Sequence, residues 1–294
     1  MKKSTLLSFI LILLMLFSVS CQSQVQTPEA PAPFNAGRAY QDIVNQMQFG
    51  PRIPDSNAHQ AALNYISAEL QKAGWQVEVQ SSTYENHPVE NIFAKRSNAA
   101  SPIILGAHYD SRMHADQDPD LALRSQPVPG ADDGASGVAV LLEIARVLPQ
   151  SDQNIWLVFF DSEDQGNIDG WDWLLGSTVF ANSLRVTPKA VVVVDMIGDA
   201  NLNIYREISS TKSLSDQIWQ TAGELGFGSY FIDQEKYNML DDQTPFLERG
   251  IPAVDIIDFD YPYWHTTADT LDKVSAASLE IVGKTLLVWL ENQQ

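Results

Sequence analysis

The sequence predicts an α/β fold, a three-layer α/β/α sandwich around a central mixed, mostly parallel sheet. Short apolar strands alternate with amphipathic helices from Pro102 to Leu290. That pattern produces parallel strands covered by helices on both faces. Runs such as Val191–Val194 are continuously apolar, which suits a strand buried on both sides. No internal repeat and no second linker breaks the pattern, so residues 34–294 are expected to form one domain.

The domain is expected to open with an amphipathic helix over Gly37–Met47 and a proline-rich turn, Gly50-Pro51-Arg52-Ile53-Pro54. A second helix near Ala58–Lys72 sets Ala61, Leu63, Ile66 and Leu70 at helical spacing and stops at Gly74. Trp75–Val79 alternates as a strand does, with Asn91–Lys95 as its partner. Strands then follow at Pro102–Gly106, Ile155–Phe160, Ala190–Val194 and Ala253–Ile257. The helices between and after them are expected at Val138–Leu148, Thr178–Leu184, Leu214–Leu225 and Ala276–Leu290.

Ahead of the domain, Lys2 and Lys3 precede an apolar run from Leu6 to Phe17 and then Ser18-Val19-Ser20-Cys21. A basic tip, a short apolar core and small residues make an export signal over residues 1–20, too short to span a bilayer. Cys21 is the only cysteine and sits where cleavage would expose it, as in a lipoprotein signal that makes Cys21 the lipid anchor. Residues 21–33, rich in Gln, Ser, Pro and Ala, read as a tether. The chain is expected outside the cytoplasm, as a periplasmic or cell-surface lipoprotein or else secreted, with no transmembrane helix in its mature form.

One cysteine excludes a disulfide framework or a thiolate zinc finger. With 37 Asp+Glu against 18 Lys+Arg, the net charge of −19 argues against a nucleic-acid partner.

In parallel sheets the ligand lies beyond the carboxyl ends of the strands. Those ends read Ala107-His108-Tyr109-Asp110, then Gly130-Ala131-Asp132-Asp133-Gly134 before a helix, Asp161-Ser162-Glu163-Asp164, Asp195-Met196 and finally Trp264-His265. Taken singly, Asp133 or Asp161 reads as a turn or helix-start acid. His59, His87 and His114 read as surface or loop residues. Together, carboxylates gathered at one sheet edge require a counter-charge, and imidazole with carboxylates suits zinc. Glu163 and Asp164 are neighbours, so one can hold metal while the other faces substrate as a proton shuttle.

The series GAHYDS, PGADDGASGVAVLLEIARVL, FFDSED, VVDMIG and YWHT resembles the zinc aminopeptidase superfamily. The resemblance covers most of the chain, from FGPRIPDSNAHQAALNYI onward. Within that superfamily the chain is most similar to the animal-type glutaminyl cyclases and their bacterial relatives, through HYDSRMHADQDPD, FFDSEDQG with a later WLLGS, and DDQTPFLERGIPAVDIIDFD. The resemblance implies a single zinc held by Asp132, Asp164 and His265, with Glu163 as general acid/base. It implies a hydrogen-bond network from Glu163 to Asp195 and to Asp241 or Asp242. Trp264 would line the substrate pocket, with Trp171 and Trp173 as further candidates. The substrate would be the N-terminus of a peptide or protein, its glutamine converted to pyroglutamate with loss of ammonia. The alternative within the superfamily is a two-zinc aminopeptidase, in which His108 and Asp195 complete a second site and Asp132 bridges. Asp164 stands where many relatives have Glu, and Ser162 where many have Gly.

Overall fold

Continuous apolar runs fix the central strands, because both faces of each must be covered. The computed structural model describes residues 33–149 and 154–293. Strands β1 (Gln76–Tyr84), β2 (His87–Lys95), β3 (Ile103–His108), β4 (Ile155–Phe160), β5 (Ala190–Asp195) and β8 (Ala253–Ile257) form a six-stranded sheet in the order β1-β2-β4-β3-β5-β8. β1, β2 and β4 pair antiparallel in turn, while β4, β3, β5 and β8 run parallel.

Alternate strand residues enter opposite layers. Leu105, Ala107, Leu157, Phe159, Val192 and Val194 join one core. Helices α1 (Ala36–Met47), α2 (Asn57–Lys72), α3 (Ala135–Val147), α5 (Lys212–Glu224) and α7 (Ala276–Glu291) contribute to that core. Ile104, Val158, Phe160, Val191 and Val193 face a smaller core shared with α4 (Leu175–Ser183) and α6 (Thr244–Glu248). The expected three-layer sandwich with a mixed, mostly parallel sheet is therefore present. Asn35, Ser56 and Ser275 cap α1, α2 and α7, each accepting from a backbone N–H in the first turn. Such a cap contributes about 1 kcal/mol.

The structure adds three elements to the sequence expectation. The first hairpin is longer and turns at Glu85-Asn86, both with positive φ. A parallel pair, β6 (Ile204–Glu207) and β7 (Phe231–Tyr237), stands apart from the main sheet, and the short α6 precedes β8. In β7 only Phe231 is buried, so no alternating apolar signal marks it. Pro31–Gln294 forms one compact unit. The expected signal segment, the lipid anchor Cys21 and the tether up to residue 32 lie outside the described residues. Among the described residues no helix is long and apolar enough to cross a membrane.

Candidate active site

The parallel strands end level with one another, His108 beside Phe160 and Asp195 beside Ile257, so the segments that follow them converge. His108 Nε2 lies 3.1 Å from Asp195 Oδ1 and 3.1 Å from Asp133 Oδ1. His265 Nε2 lies 2.8 Å from Asp164 Oδ1 and 3.8 Å from Asp133 Oδ2. Two buried groups result, His108–Asp133–Asp195 and Asp133–Asp164–His265, each able to offer three donor atoms within 4.8 Å of one another. Asp133 belongs to both.

This geometry corrects one expected ligand. Asp132 stands outside both groups: its Oδ1 accepts from the Gly198 N–H at 2.6 Å, and its own N–H donates to Asp269 Oδ1 at 2.9 Å. Asp133 turns the other way, toward the imidazoles, and takes the bridging position. Gly134 makes the approach feasible, since a Cβ there would lie 2.5 Å from His108 Nε2. His59 is also corrected. It is buried, with Nε2 2.7 Å from Asp161 Oδ1 and its ring stacked on Tyr109. His114 is exposed as expected.

A framework of buried charge holds these loops. Arg52, from the proline-rich turn, is fully buried and donates to Tyr109 O, Pro129 O and Gly130 O at 3.2, 2.9 and 2.6 Å. It thereby ties the end of β3 to the Asp132-Asp133 turn. Asp110 accepts from the backbone N–H groups of Glu163 and Asp164 and from Gln165 Nε2, and pairs with His108 Nδ1 at 3.3 Å. It both orients His108 and anchors the Glu163-Asp164 turn. Arg112 donates to Asp164 O, Gly166 O and Asp116, and Asp116 faces His265 Nδ1 at 3.4 Å. Asp269 also takes the Asp133 N–H and the Tyr261 hydroxyl. Sequence reasoning missed Arg52, Arg112, Asp116 and Asp269. Three non-glycine residues at the site, Ser162, Met196 and His265, have φ near +50°, a conformation that costs on the order of 1–3 kcal/mol each and persists only where neighbours enforce it.

Burial pushes the Glu163 carboxyl well above its ordinary range, and nearby Asp164, Asp241 and Asp242 add to the rise against the opposing charge of His108. Asp164 is raised to about 6 by burial and the neighbouring Asp133. His265 is raised to about 9: burial opposes its charge, but Asp164 and Asp116 outweigh it. Asp133 Oδ2 and Asp164 Oδ2 are buried with no hydrogen-bond partner. Two orphaned carboxylate oxygens beside one imidazole form a donor set that a zinc ion fits.

Beside the ligand groups opens a cavity of about 230 Å³. Asp133, Asp164 and His265 with Glu163, Asp195 and Asp241 supply its polar wall, and Met196, Leu240, Ile257, Phe259, Trp173 and Trp264 much of the rest. Trp264 stacks on His265 at 3.8 Å between ring centroids and meets Phe259 edge-on. Trp173 lies over Gly166, where a Cβ would come within 2.1 Å of the indole. Of the sequence candidates, Trp173, Trp264, Asp195 and Asp241 line the cavity. Trp171 does not, because its ring stacks on His87 instead. Asp242 is fully buried outside the cavity lining, donates its backbone N–H to Asp241 Oδ1, and acts on Glu163 through its charge.

Residues 91–290 match the model of peptidase family M28. The chain is 26% identical to the glutaminyl-peptide cyclotransferase of Boiga irregularis, over 87% of this chain and 81% of that protein. The solved glutaminyl cyclase of Porphyromonas gingivalis is 35% identical, with a TM-score of 0.84 over 90% of this chain and all of the other. A leucine aminopeptidase precursor from Bacteroides thetaiotaomicron is 31% identical, with a TM-score of 0.85 over 90% and 99% of the two chains.

Proposed function

The chain belongs to peptidase family M28, and on that premise we propose that it is a zinc-dependent glutaminyl-peptide cyclotransferase. Its substrate is the N-terminal glutamine of a peptide or protein, converted to pyroglutamate with release of ammonia. The observation that carries this reading is the cavity. At about 230 Å³ it has room for one side chain beside the candidate metal group. It sets the carboxyls of Glu163 and Asp241 against an apolar wall. The cyclotransferase and cyclase relatives support the same activity.

Asp133, Asp164 and His265 would hold the zinc, since the orphaned oxygens fall in that group. Bound there, zinc supplies a Lewis acid for the glutamine side-chain carbonyl. The chain's own residues do the rest. Trp264, Ile257 and Phe259 enclose the aliphatic stem and exclude water. The substrate's α-amine attacks its own side-chain carbonyl carbon, so nucleophile and electrophile arrive already paired. Glu163 accepts the amine proton as the C–N bond of the ring forms. It returns that proton to the amide nitrogen as the old C–N bond breaks and ammonia leaves. The raised proton affinity of Glu163 suits both halves of this exchange.

A specific observation favours the second reading, a two-zinc aminopeptidase: the His108–Asp133–Asp195 group is complete. One assay separates the two. Purified protein is incubated with a Gln-initiated and a Leu-initiated peptide. Ammonia from the first without shortening supports cyclisation, with one zinc per chain; free leucine from the second, with two zinc ions per chain, refutes it. Glu163→Gln should lower turnover by about 10²–10⁴-fold while zinc stays bound. The domain is proposed to work outside the cytoplasm behind the signal of residues 1–20, lipid-anchored at Cys21. Palmitate labelling lost in Cys21→Ser checks the anchor.

A further inference from the structure

Met239 and Leu240 form a wall with a hollow on each side. One is the catalytic cavity. The other, about 380 Å³, is bounded by Ser209, Asn238, Thr244, Leu247 and Glu248. Leu240 is 57% exposed, and Ile208, next to Ser209, is 51% exposed. An apolar side chain left this open at the rim of a one-residue cavity has solvent on one side and substrate on the other.

We propose that the second hollow is a subsite for the residues that follow the N-terminal glutamine, and that it favours lysine or arginine there. The inference rests on the cyclotransferase reading. A peptide whose first residue fills the cavity must leave it over the rim, and an extended chain advances about 3.3–3.6 Å per residue. One or two residues therefore carry it across the single ridge of Met239 and Leu240. The chemistry of the hollow is mixed. Leu240 and Leu247 offer apolar surface to an aliphatic stem, while Glu248 offers an exposed carboxylate to a cationic head. Arg249, next in sequence, is directed to Asn182 Oδ1, to which it donates at 3.3 Å, which leaves the Glu248 carboxylate open to direct contact. The net charge of −19 adds a field that draws basic peptides and repels acidic ones.

The test measures ammonia release by the zinc-loaded protein from glutaminamide and from Gln-Lys-Ala, Gln-Ala-Lys, Gln-Glu-Ala and Gln-Ala-Glu amides. The lysine peptides should exceed the glutamate peptides by about 2- to 5-fold in kcat/KM, the size of one exposed ion pair, mainly through KM. E248K should abolish or reverse that preference. N238W, which fills the hollow, should weaken every tripeptide and leave glutaminamide unchanged. Equal rates for all tripeptides, unaltered by either variant, would overturn the subsite while leaving the activity standing. Cyclisation of none of these substrates would overturn both.

Discussion

Asp110→Asn is the sharpest test of how the site is built, because it changes one atom of a fully buried side chain. Asp110 Oδ1 faces the Glu163 N–H at 3.1 Å and His108 Nδ1 at 3.3 Å. Its Oδ2 faces the Asp164 N–H at 3.3 Å and Gln165 Nε2 at 2.8 Å. An amide has one oxygen, so either rotamer aims an NH₂ at two of these groups. With nitrogen on the Oδ2 side, the Asp164 N–H and one of the two Gln165 Nε2 hydrogens lose their acceptor, the other hydrogen still going to Ser111 O at 2.9 Å. Gln165 cannot simply flip to offer its oxygen, because that oxygen already takes the Met113 N–H at 3.1 Å. At about 1–3 kcal/mol for each unsatisfied donor, the loss is about 2–6 kcal/mol. With nitrogen on the Oδ1 side, His108 can change tautomer, but the Glu163 N–H is still orphaned, which sets a floor of about 1 kcal/mol. Denaturant unfolding of zinc-loaded wild type and variant measures the difference, with an unchanged m-value as the check that the denatured state is the same. Turnover should fall too, since the Glu163-Asp164 turn loses its anchor. A change within about 0.5 kcal/mol, the range of an ordinary surface substitution, would refute the claim that Asp110 is the hub.

Other outcomes follow from the same geometry. Asp133→Asn should lose zinc on dialysis and Asp132→Asn should keep it, as metal analysis per chain will read; the reverse pattern would restore Asp132 as the ligand. Gly166→Ala should raise KM, because its Cβ would meet the Trp173 indole at 2.1 Å and push the ring from the cavity wall; unchanged KM would mean that Trp173 does not touch substrate. His59 is opposed by burial, but the Asp161 hydrogen bond and charge outweigh that, so its folded value is raised. Its stabilisation is therefore fully present below the unfolded value of about 6.5 and lost as pH rises through the higher folded value. His59→Gln should flatten that part of the stability–pH curve, and an unaltered slope would show that the pair is not ionised.

Strands buried on both faces were legible as elements, two of the four to the residue. Ile155–Phe160 and Ala253–Ile257 coincide with β4 and β8 residue for residue, because six and five wholly buried positions leave an unbroken apolar run. The edge strand β1 was read short, since its second half, Gln80-Ser81-Ser82-Thr83, carries no apolar residue. The strand-end argument brought together His108, Glu163, Asp164, Asp195 and His265, and the resemblance added Asp241; all of them meet at the site. The ligand implied by the resemblance, Asp132, differs from the residue that the geometry presents, Asp133, for a definite reason. Two adjacent acids in a turn diverge, and which one faces the imidazoles depends on the turn's backbone rather than on residue type. Arg52 was invisible for another reason, since a lone arginine in a proline turn normally lies at the surface. Only the carbonyls of Tyr109, Pro129 and Gly130, distant in sequence, explain its burial.

The buried acids at this edge divide into two kinds, and the division bears on how Glu163 works. Two like charges 4 Å apart repel by about 4 kcal/mol at an effective dielectric constant of 20, so the whole set cannot be ionised at once. Asp133, Asp164 and Asp195 face imidazoles, and a cation at the Asp133–Asp164–His265 group would hold its carboxylates ionised. Farther in, Asp242 is held by Ser177 alone among side chains, and Asp255 interacts with Asp241 with no base beside it. Burial raises Asp242 to about 7 and Asp255 well above its ordinary range, so the inner acids take up protons more readily than free carboxylates do. Glu163 lies between the two sets and responds to both. Cation binding on the outer side lowers its proton affinity, whereas ionisation of the inner acids raises it. Its strength as a base is thus set by which neighbours are neutralised by metal and which by protons, a division that the arrangement of strand ends imposes before any substrate arrives.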